Sequence, residues 1–141
     1  MSQDTQPRQL VIFTLGLEQY ALPIGRVQEI IRYQQPRSLV SDHSSVCGVI
    51  KLRGQIVPVH DLAALLAIDA QTAETDKIMV LESEEQTVGV IVDSVDEVLT
   101  ISENQLERAP ATTDTALIES IAKIGERLVV LLNADAVTAG A

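Results

Sequence analysis

The sequence is short of aromatic residues, basic residues and cysteine. It contains one phenylalanine, two tyrosines and no tryptophan, so its core must be built from valine, isoleucine and leucine. Ten lysine and arginine residues stand against twenty aspartate and glutamate residues, which gives a formal charge of −10. Nucleic acids and acidic lipids are bound mainly by clustered cations, so this balance argues against both as partners. A protein partner is the easiest to reconcile with the charge.

A single cysteine, Cys47, excludes an internal disulfide. Together with the only two histidines, His43 and His60, it is too little for a Cys/His zinc cage. We therefore expect no metal and no cofactor. The N-terminus lacks the basic, apolar and small-residue segments of a signal peptide, and no apolar run approaches the roughly 20 residues that span a bilayer. These features predict a cytoplasmic protein.

Short apolar runs separated by turn residues recur along the chain, a pattern typical of β-barrels and sandwiches. We predict an all-β fold of about nine or ten strands with a few short helices, one of them near residues 24–29. Residues 1–8 are expected to form a flexible tail, residues 9–134 a single domain, and residues 135–141 a second short tail.

The two halves of the sequence resemble each other weakly. VQEI at residues 27–30 matches VDEV at residues 95–98, at an offset of 68. IVPV at residues 56–59 falls on LVVL at residues 128–131, at an offset of 72. Each half alone is too small for a generous core, so we predict two similar β units that share apolar surface.

The stretch GVIKLRGQIVPVHDL begins at residue 48 and is the most specific in the chain. Its two apolar runs flank Arg53 and Gly54, and glycine supplies the positive φ that a tight hairpin needs. A guanidinium presented from such a turn suits bidentate recognition of a carboxylate, and arginine is enriched in interface hot spots. Glu29 has apolar neighbours, so we predict that it pairs with Arg53 and orients it beside a groove.

The adjacent pair His60 and Asp61 invites a catalytic interpretation. Neighbouring residues on a strand point to opposite faces, however, so Asp61 is predicted to cap a short helix instead. Cys47 is predicted to be a buried small hydrophobe. No familiar nucleophile or phosphate-binding motif is present, and the chain is not expected to be an enzyme. A small-ligand or enzymatic β-barrel stays open as the alternative from another class.

The segments VQEII, CGVIKLRGQIVPVHDL, TVGVIVDSVDEVL and IGERLVVLLN resemble, in this order, the CheW family of chemotaxis adaptors. The resemblance covers roughly residues 9–134. It implies a non-catalytic scaffold that couples chemoreceptors to the histidine kinase CheA. It also implies two five-stranded SH3-like β-barrels packed around a shared hydrophobic core. The first barrel is expected over roughly residues 17–72, and the second over roughly residues 75–134 together with an N-terminal strand at residues 9–15.

Two partner surfaces follow from the same resemblance. The cytoplasmic hairpin tip of the receptor is expected in a groove between the barrels, and the regulatory domain of the kinase at a barrel end. The protein would then associate with membrane-bound arrays only through the receptors. The receptor-side residues implied by the motif are Val27, Glu29, Gly48, Val49, Leu52, Arg53 and Gly54. Kinase contacts are assigned to Val40 and Val46.

The sequence departs from the family pattern in three places. Ala63 stands where arginine is common, and Lys51 stands where asparagine is common. The C-terminus stops soon after Leu132, which predicts that a full closing helix is missing. These departures leave open a paralogue that serves another chemosensory array, such as one for twitching motility.

Overall fold

The computed structural model describes residues 7–38, 46–68, 73, 75–84, 86–110 and 116–139. The strands are β1 (Arg8–Leu15), β2 (Glu18–Pro23), β3 (Val27–Arg32), β4 (Val46–Leu52), β5 (Gln55–His60), β6 (Lys77–Glu82), β7 (Thr87–Val92), β8 (Ser94–Ile101), β9 (Leu106–Glu107), β10 (Ile118–Ile124) and β11 (Arg127–Leu132). The α-helices are α1 (Leu62–Leu65) and α2 (Ala134–Ala139), and 3₁₀ turns lie at Ile24–Arg26 and Glu103–Gln105. In this described part of the chain, no helix is long and apolar enough to cross a membrane.

The strands form two sheets with corresponding strand orders. The six-stranded sheet runs β8-β1-β2-β11-β10-β9, and the five-stranded sheet runs β3-β6-β7-β5-β4. In both sheets an edge strand is followed by one hairpin, which joins a second hairpin through a parallel pair, β2–β11 or β5–β7. The second hairpins also share an irregularity in register, between Val46 and Gly48 and between Ile118 and Ser120. This correspondence is the arrangement that a duplicated unit produces.

The predicted barrel ranges are wrong about which strands belong together. Strand β2 was expected with the first barrel but pairs with β1, and β6 and β7 were expected with the second barrel but pair with β3 and β5. The physical reason is that each half of the chain contributes its first hairpin to the sheet of the other half. The two-residue turn at Gly16 and Leu17 holds β1 and β2 together, and the chain then changes sheet after β2 and again after β7. The two-residue strand β9 adds a sixth strand to one sheet, where five were predicted.

The core comprises a cluster shared by both sheets and one further cluster in each sheet. The shared cluster contains Phe13 from β1, Met79 from β6, Leu62 from α1 and Val137 from α2, all fully buried. Phe13 stacks on Tyr20 with ring centroids 6.1 Å apart, and the rest of the cluster is almost wholly aliphatic, as the composition predicts. Removing a side chain of this size from water contributes roughly 1.5–3 kcal/mol. The predicted mainly β fold with a shared hydrophobic core is confirmed.

Three local expectations were wrong. The helix predicted near residues 24–29 is a single 3₁₀ turn, because β3 already begins at Val27. Strand β1 begins at Arg8, inside the predicted N-terminal tail. Helix α2 occupies most of the predicted C-terminal tail. It forms because the side-chain oxygen of Asn133 accepts two backbone N–H groups of its first turn, at 3.0 and 3.2 Å, and because Val137 is buried in the shared core.

Candidate protein-docking site

The β4–β5 hairpin ends in a two-residue turn made of Arg53 and Gly54. Their φ angles are 51° and 80°, and Leu52 and Gln55 are the last paired residues on either side. Two successive positive φ angles define a type I′ turn, whose twist matches that of the flanking strands. The positive φ of Gly54 confirms the prediction, whereas that of Arg53 was not predicted. The turn therefore fixes the backbone from which the guanidinium projects.

Arg53 and Glu29 form the predicted ion pair, and it is bidentate. Nη2 of Arg53 donates to Oε1 of Glu29 at 2.9 Å, and Nη1 donates to Oε2. The side-chain hydrogen bond and the negative charge of Glu29 raise the pKa of Arg53. The side chain of Arg53 is 70% exposed and that of Glu29 only 20%. Exposed ion pairs add little to stability, so the main consequence is that the guanidinium is held in one orientation while much of it faces solvent.

The ion pair also connects the two ends of the five-stranded sheet. Glu29 lies on the edge strand β3, and Arg53 lies at the tip of the hairpin that supplies the opposite edge strand, β4. These ends can meet only if the sheet curls into a barrel. The six-stranded sheet repeats the arrangement, because Nη1 of Arg127 at the start of β11 donates to Oε2 of Glu97 on the edge strand β8, at 3.0 Å. Both sheets therefore curl in the manner of barrels.

Other residues of the predicted receptor-side set make contacts within the protein itself. A Cβ atom added to Gly48 would lie 2.0 Å from the backbone oxygen of Arg37, which forms an isolated β-bridge with Val49. Leu52 packs against the core of the five-stranded sheet, and Val27 packs against the shared core. These contacts account for the residue types at the positions, and their assignment to a partner stays a prediction.

The structure describes only one of the two residues that were predicted to contact the kinase. Val40 lies outside the described residues. Val46 is half-buried at the start of β4, opposite His60 on β5. Its contact with a kinase stays a prediction.

The residues that were considered as candidates for catalysis are part of the folded framework. Oδ1 of Asp61 accepts the backbone N–H groups of Ala63 and Ala64 at 3.1 and 3.3 Å, so the predicted helix cap is confirmed. His60 is buried in β5. Cys47 is half-buried, and its burial, together with the negative charge of Asp61, raises the pKa of the thiol to about 11. Across the described ranges, no group of three or more His, Cys, Asp or Glu side chains could hold a metal ion.

Two exposed aliphatic residues that are close in sequence to the members of the ion pair were not part of the predicted set. Ile30 follows Glu29 on β3 and is 42% exposed, and Ile56 lies three residues after Arg53 and is 67% exposed. Strand alternation was the available signal for Ile56, because its neighbour Val57 is buried. Exposed arginine and exposed aliphatic side chains are both residue types that protein interfaces favour.

A cavity of about 740 Å³ lies between the 3₁₀ turn at Ile24–Arg26, the β6–β7 turn and α2. Arg26 lines it and donates to Oδ1 of Asp135 at 2.6 Å and to the backbone oxygen of Glu82 at 2.9 Å. Its walls are polar and charged as much as apolar. Neither Glu29 nor Arg53 lines it, so this cavity is not the apolar groove that was predicted beside Arg53.

Comparison with known proteins agrees with this architecture. The family model described as the CheW-like domain matches residues 9–141. The chain belongs to the CheW-like family. The crystal structure of the scaffolding protein TtCheW from Thermoanaerobacter tengcongensis matches this CheW-like chain with a TM-score of 0.84 and 34% sequence identity. The match covers 91% of this chain and 90% of that one.

Two chemotaxis proteins are similar in sequence along almost the whole CheW-like chain. The chemotaxis protein CheW of Klebsiella aerogenes is 32% identical over 139 residues, which is 96% of this chain and 84% of that protein. The chemotaxis protein CheW of Bacillus subtilis is 32% identical over 133 residues, which is 91% of this chain and 85% of that protein. The predicted family, the paired SH3-like barrels and the role of chemotaxis adaptor are thereby confirmed.

Proposed function

We propose that this CheW-like protein is a non-catalytic scaffold that couples chemoreceptors to the histidine kinase CheA, with a receptor docking at the Arg53–Glu29 pair. One observation supports the choice of surface most directly. A rigid turn and a bidentate carboxylate hold the guanidinium of Arg53 in place while its side chain is 70% exposed. A cation that is oriented before binding loses little conformational entropy when a partner arrives.

The proposed occupant of this surface is the cytoplasmic hairpin tip of a receptor. A helix that docks on a protein surface usually inserts apolar side chains at helical spacing, with polar contacts setting its register. Ile30 and Ile56 offer the apolar contact, and the exposed part of Arg53 offers a site for a carboxylate or a backbone carbonyl of the helix. The net charge of −10 is consistent with a protein partner and opposes direct attachment to acidic lipid.

The kinase is proposed to bind a separate surface, so that one chain contacts both partners at once. The names of the relatives, which are chemotaxis and scaffolding proteins, support this bridging role. Control of the kinase then depends on geometry and on many weak contacts acting together, because linked binding events raise the local concentration of each partner. The place of action is the cytoplasm, beside the membrane-bound receptors.

A binding measurement with matched variants tests the surface. Arg53→Ala is expected to weaken binding of a receptor fragment by about tenfold or more, the usual size of an arginine hot-spot effect. Glu29→Gln keeps the guanidinium but removes the charge that orients it, so a smaller loss is expected. Arg127→Ala is the matched control, because it deletes the corresponding ion pair in the other barrel.

The readout is the dissociation constant from isothermal titration, with far-UV circular dichroism as the check on folding. Arg53→Ala leaves the carboxylate of Glu29, which is only 20% exposed, without these two hydrogen bonds, so a modest fall in the unfolding temperature is expected while the variant stays folded. If Arg53→Ala bound the receptor fragment as tightly as Arg127→Ala, docking at the Arg53–Glu29 pair would be wrong.

A further inference from the structure

The five-stranded sheet places two cations, Arg32 and Lys77, next to each other. Arg32 at the end of β3 lies directly opposite Lys77 at the start of β6. One position further along, the backbone N–H of Tyr33 donates to the backbone oxygen of Asp76 at 3.2 Å. Hydrogen-bonded and non-hydrogen-bonded pairs alternate along an antiparallel ladder. Arg32 and Lys77 therefore form a non-hydrogen-bonded pair, the kind whose side chains lie closer together.

Within the described part of the chain, neither of these cations forms an ion pair. The ion pairs found there belong to other basic residues, namely Arg8, Arg26, Arg53, Lys123 and Arg127. Asp76, which precedes Lys77 in the sequence, is 5% exposed, and its Oδ2 accepts the backbone N–H of Ala73 at 2.9 Å. Like charges directly opposite each other destabilise a sheet, so the pair lowers the stability of the unbound protein.

Ile30 extends the two cations into a continuous surface. Residues 30 and 32 point to the same side of β3, because side chains alternate along a strand. Ile30 lies opposite Met79, which is fully buried in the shared core, and is itself 42% exposed. Arg32 follows it and is exposed as well. We call Ile30, Arg32 and Lys77 the cationic strip, which begins at the margin of the shared core.

Protection of a sheet edge does not account for the cationic strip. A charged residue on an edge strand discourages the strand of another chain from pairing there. Arg32 on the edge strand β3 serves that purpose alone. Lys77 lies on β6, which is paired on both sides, with β3 and with β7. A second cation opposite the first adds nothing to such protection and adds repulsion, so the pair calls for another explanation.

We infer that the cationic strip selects a receptor segment that carries a carboxylate, an inference that rests on the proposed receptor docking. Ile30 and Arg32 are two positions apart, which is roughly 6.6 Å along the strand. One turn of an α-helix rises about 5.4 Å. A receptor helix along β3 therefore sets an apolar side chain on Ile30 and, one turn away, an aspartate or glutamate between Arg32 and Lys77.

The carboxylate matches the strip in charge and in geometry. Its two oxygens accept hydrogen bonds from both cations at once. Binding also removes the repulsion between Arg32 and Lys77, so the charges that destabilise the unbound chain favour the complex. A receptor tip with a basic side chain at this place is repelled, and the strip therefore contributes to the choice of receptor.

Variants that remove one cation at a time provide the test. Arg32→Gln and Lys77→Gln each remove one charge of the cationic strip. Arg108→Gln is the matched control, because it changes the net charge equally at an exposed residue that follows β9 in the other sheet. Isothermal titration of the full chain with a soluble receptor cytoplasmic fragment gives the dissociation constant at about 50 mM and about 500 mM salt, since salt screens exposed charges.

Each strip variant should bind the receptor fragment about threefold to tenfold more weakly than the unmodified chain at the lower salt concentration, and the difference should shrink at the higher one. Arg108→Gln should bind as the unmodified chain does. Urea unfolding of the unbound proteins supplies a second readout. Because either substitution relieves the repulsion, the midpoints of Arg32→Gln and Lys77→Gln should equal or exceed that of the unmodified chain.

Three results would overturn the inference alone. These are strip variants that bind as tightly as Arg108→Gln, a loss of binding that is the same at both salt concentrations, and urea midpoints that fall in both strip variants, which would give the two cations a role in folding. An unmodified chain that does not bind the receptor fragment would overturn the proposed function together with the inference, so the two failures are distinguishable.

Discussion

Gly48→Ala should destabilise the protein strongly although it adds only one methyl group, because Gly48 is buried in β4. The new Cβ would lie 2.0 Å from the backbone oxygen of Arg37 and 2.6 Å from its carbonyl carbon, and φ at this position is 152°. A strained backbone of this kind costs roughly 1–3 kcal/mol. The clash must also displace Arg37, which exchanges two backbone hydrogen bonds of 2.8 Å with Val49, each contributing about 0.5–1.5 kcal/mol.

Together these effects predict a loss of roughly 2–6 kcal/mol in the free energy of unfolding. For a chain of this size that corresponds to a fall of roughly 5–20 °C in the unfolding temperature. Thermal unfolding followed by far-UV circular dichroism measures it. The matched control is Gly25→Ala, where an added Cβ meets no atom within 4 Å, so its unfolding temperature should be unchanged or slightly raised. If Gly48→Ala and Gly25→Ala had the same unfolding temperature, the close approach of Arg37 would not be the reason for glycine at position 48.

Two further predictions concern ionisable groups. Burial raises the pKa of Asp96, but hydrogen bonds from three side chains and the charge of Arg127 outweigh that effect and lower it. The lowered pKa of Asp96 means that its contribution to stability is present above about pH 4 and is lost as the pH falls through the lowered value. Asp96→Asn should therefore lower the urea midpoint most at pH 7 and least near pH 3, and a difference that stayed constant with pH would contradict this assignment. The raised pKa of Cys47, about 11, means that the native thiol should react with iodoacetamide at pH 8 about a hundredfold more slowly than the thiol of the urea-unfolded chain. Equal rates for the two forms would show that the thiol is not shielded in the native protein.

Local features of the sequence predicted the individual strands well, because alternation of apolar and polar residues and the turn signals act over a few residues. They could not predict which sheet each hairpin joins. The two sheets have corresponding strand orders, so the local pattern of a hairpin does not distinguish one set of strands from the other. Helix α2 was missed because six residues are too few for a clear helical period. The cap at Asn133 was the signal that could have indicated it.

The candidate site was also predicted only in part, because local patterns identify some of its residues and contacts between distant parts of the chain determine the others. A tight turn identifies Gly54, and a lone carboxylate among apolar residues identifies Glu29 as a partner for Arg53. The structural need for Gly48 depends on Arg37, which lies eleven residues away in the sequence and meets the glycine only in the folded chain. The exposure of Ile30 and Val98 likewise depends on how the edge strands β3 and β8 are covered, which local patterns do not contain.

Coupling of receptor to kinase is the central claim, and co-sedimentation tests it most directly. A receptor cytoplasmic fragment attached to vesicles is mixed with CheA, with or without the chain, and the CheA that sediments with the vesicles is measured. CheA should sediment when the unmodified chain or Arg127→Ala is present, and should stay in solution without the chain or with Arg53→Ala. If the unmodified chain sedimented with neither partner, or if CheA sedimented equally well in its absence, the account would be contradicted.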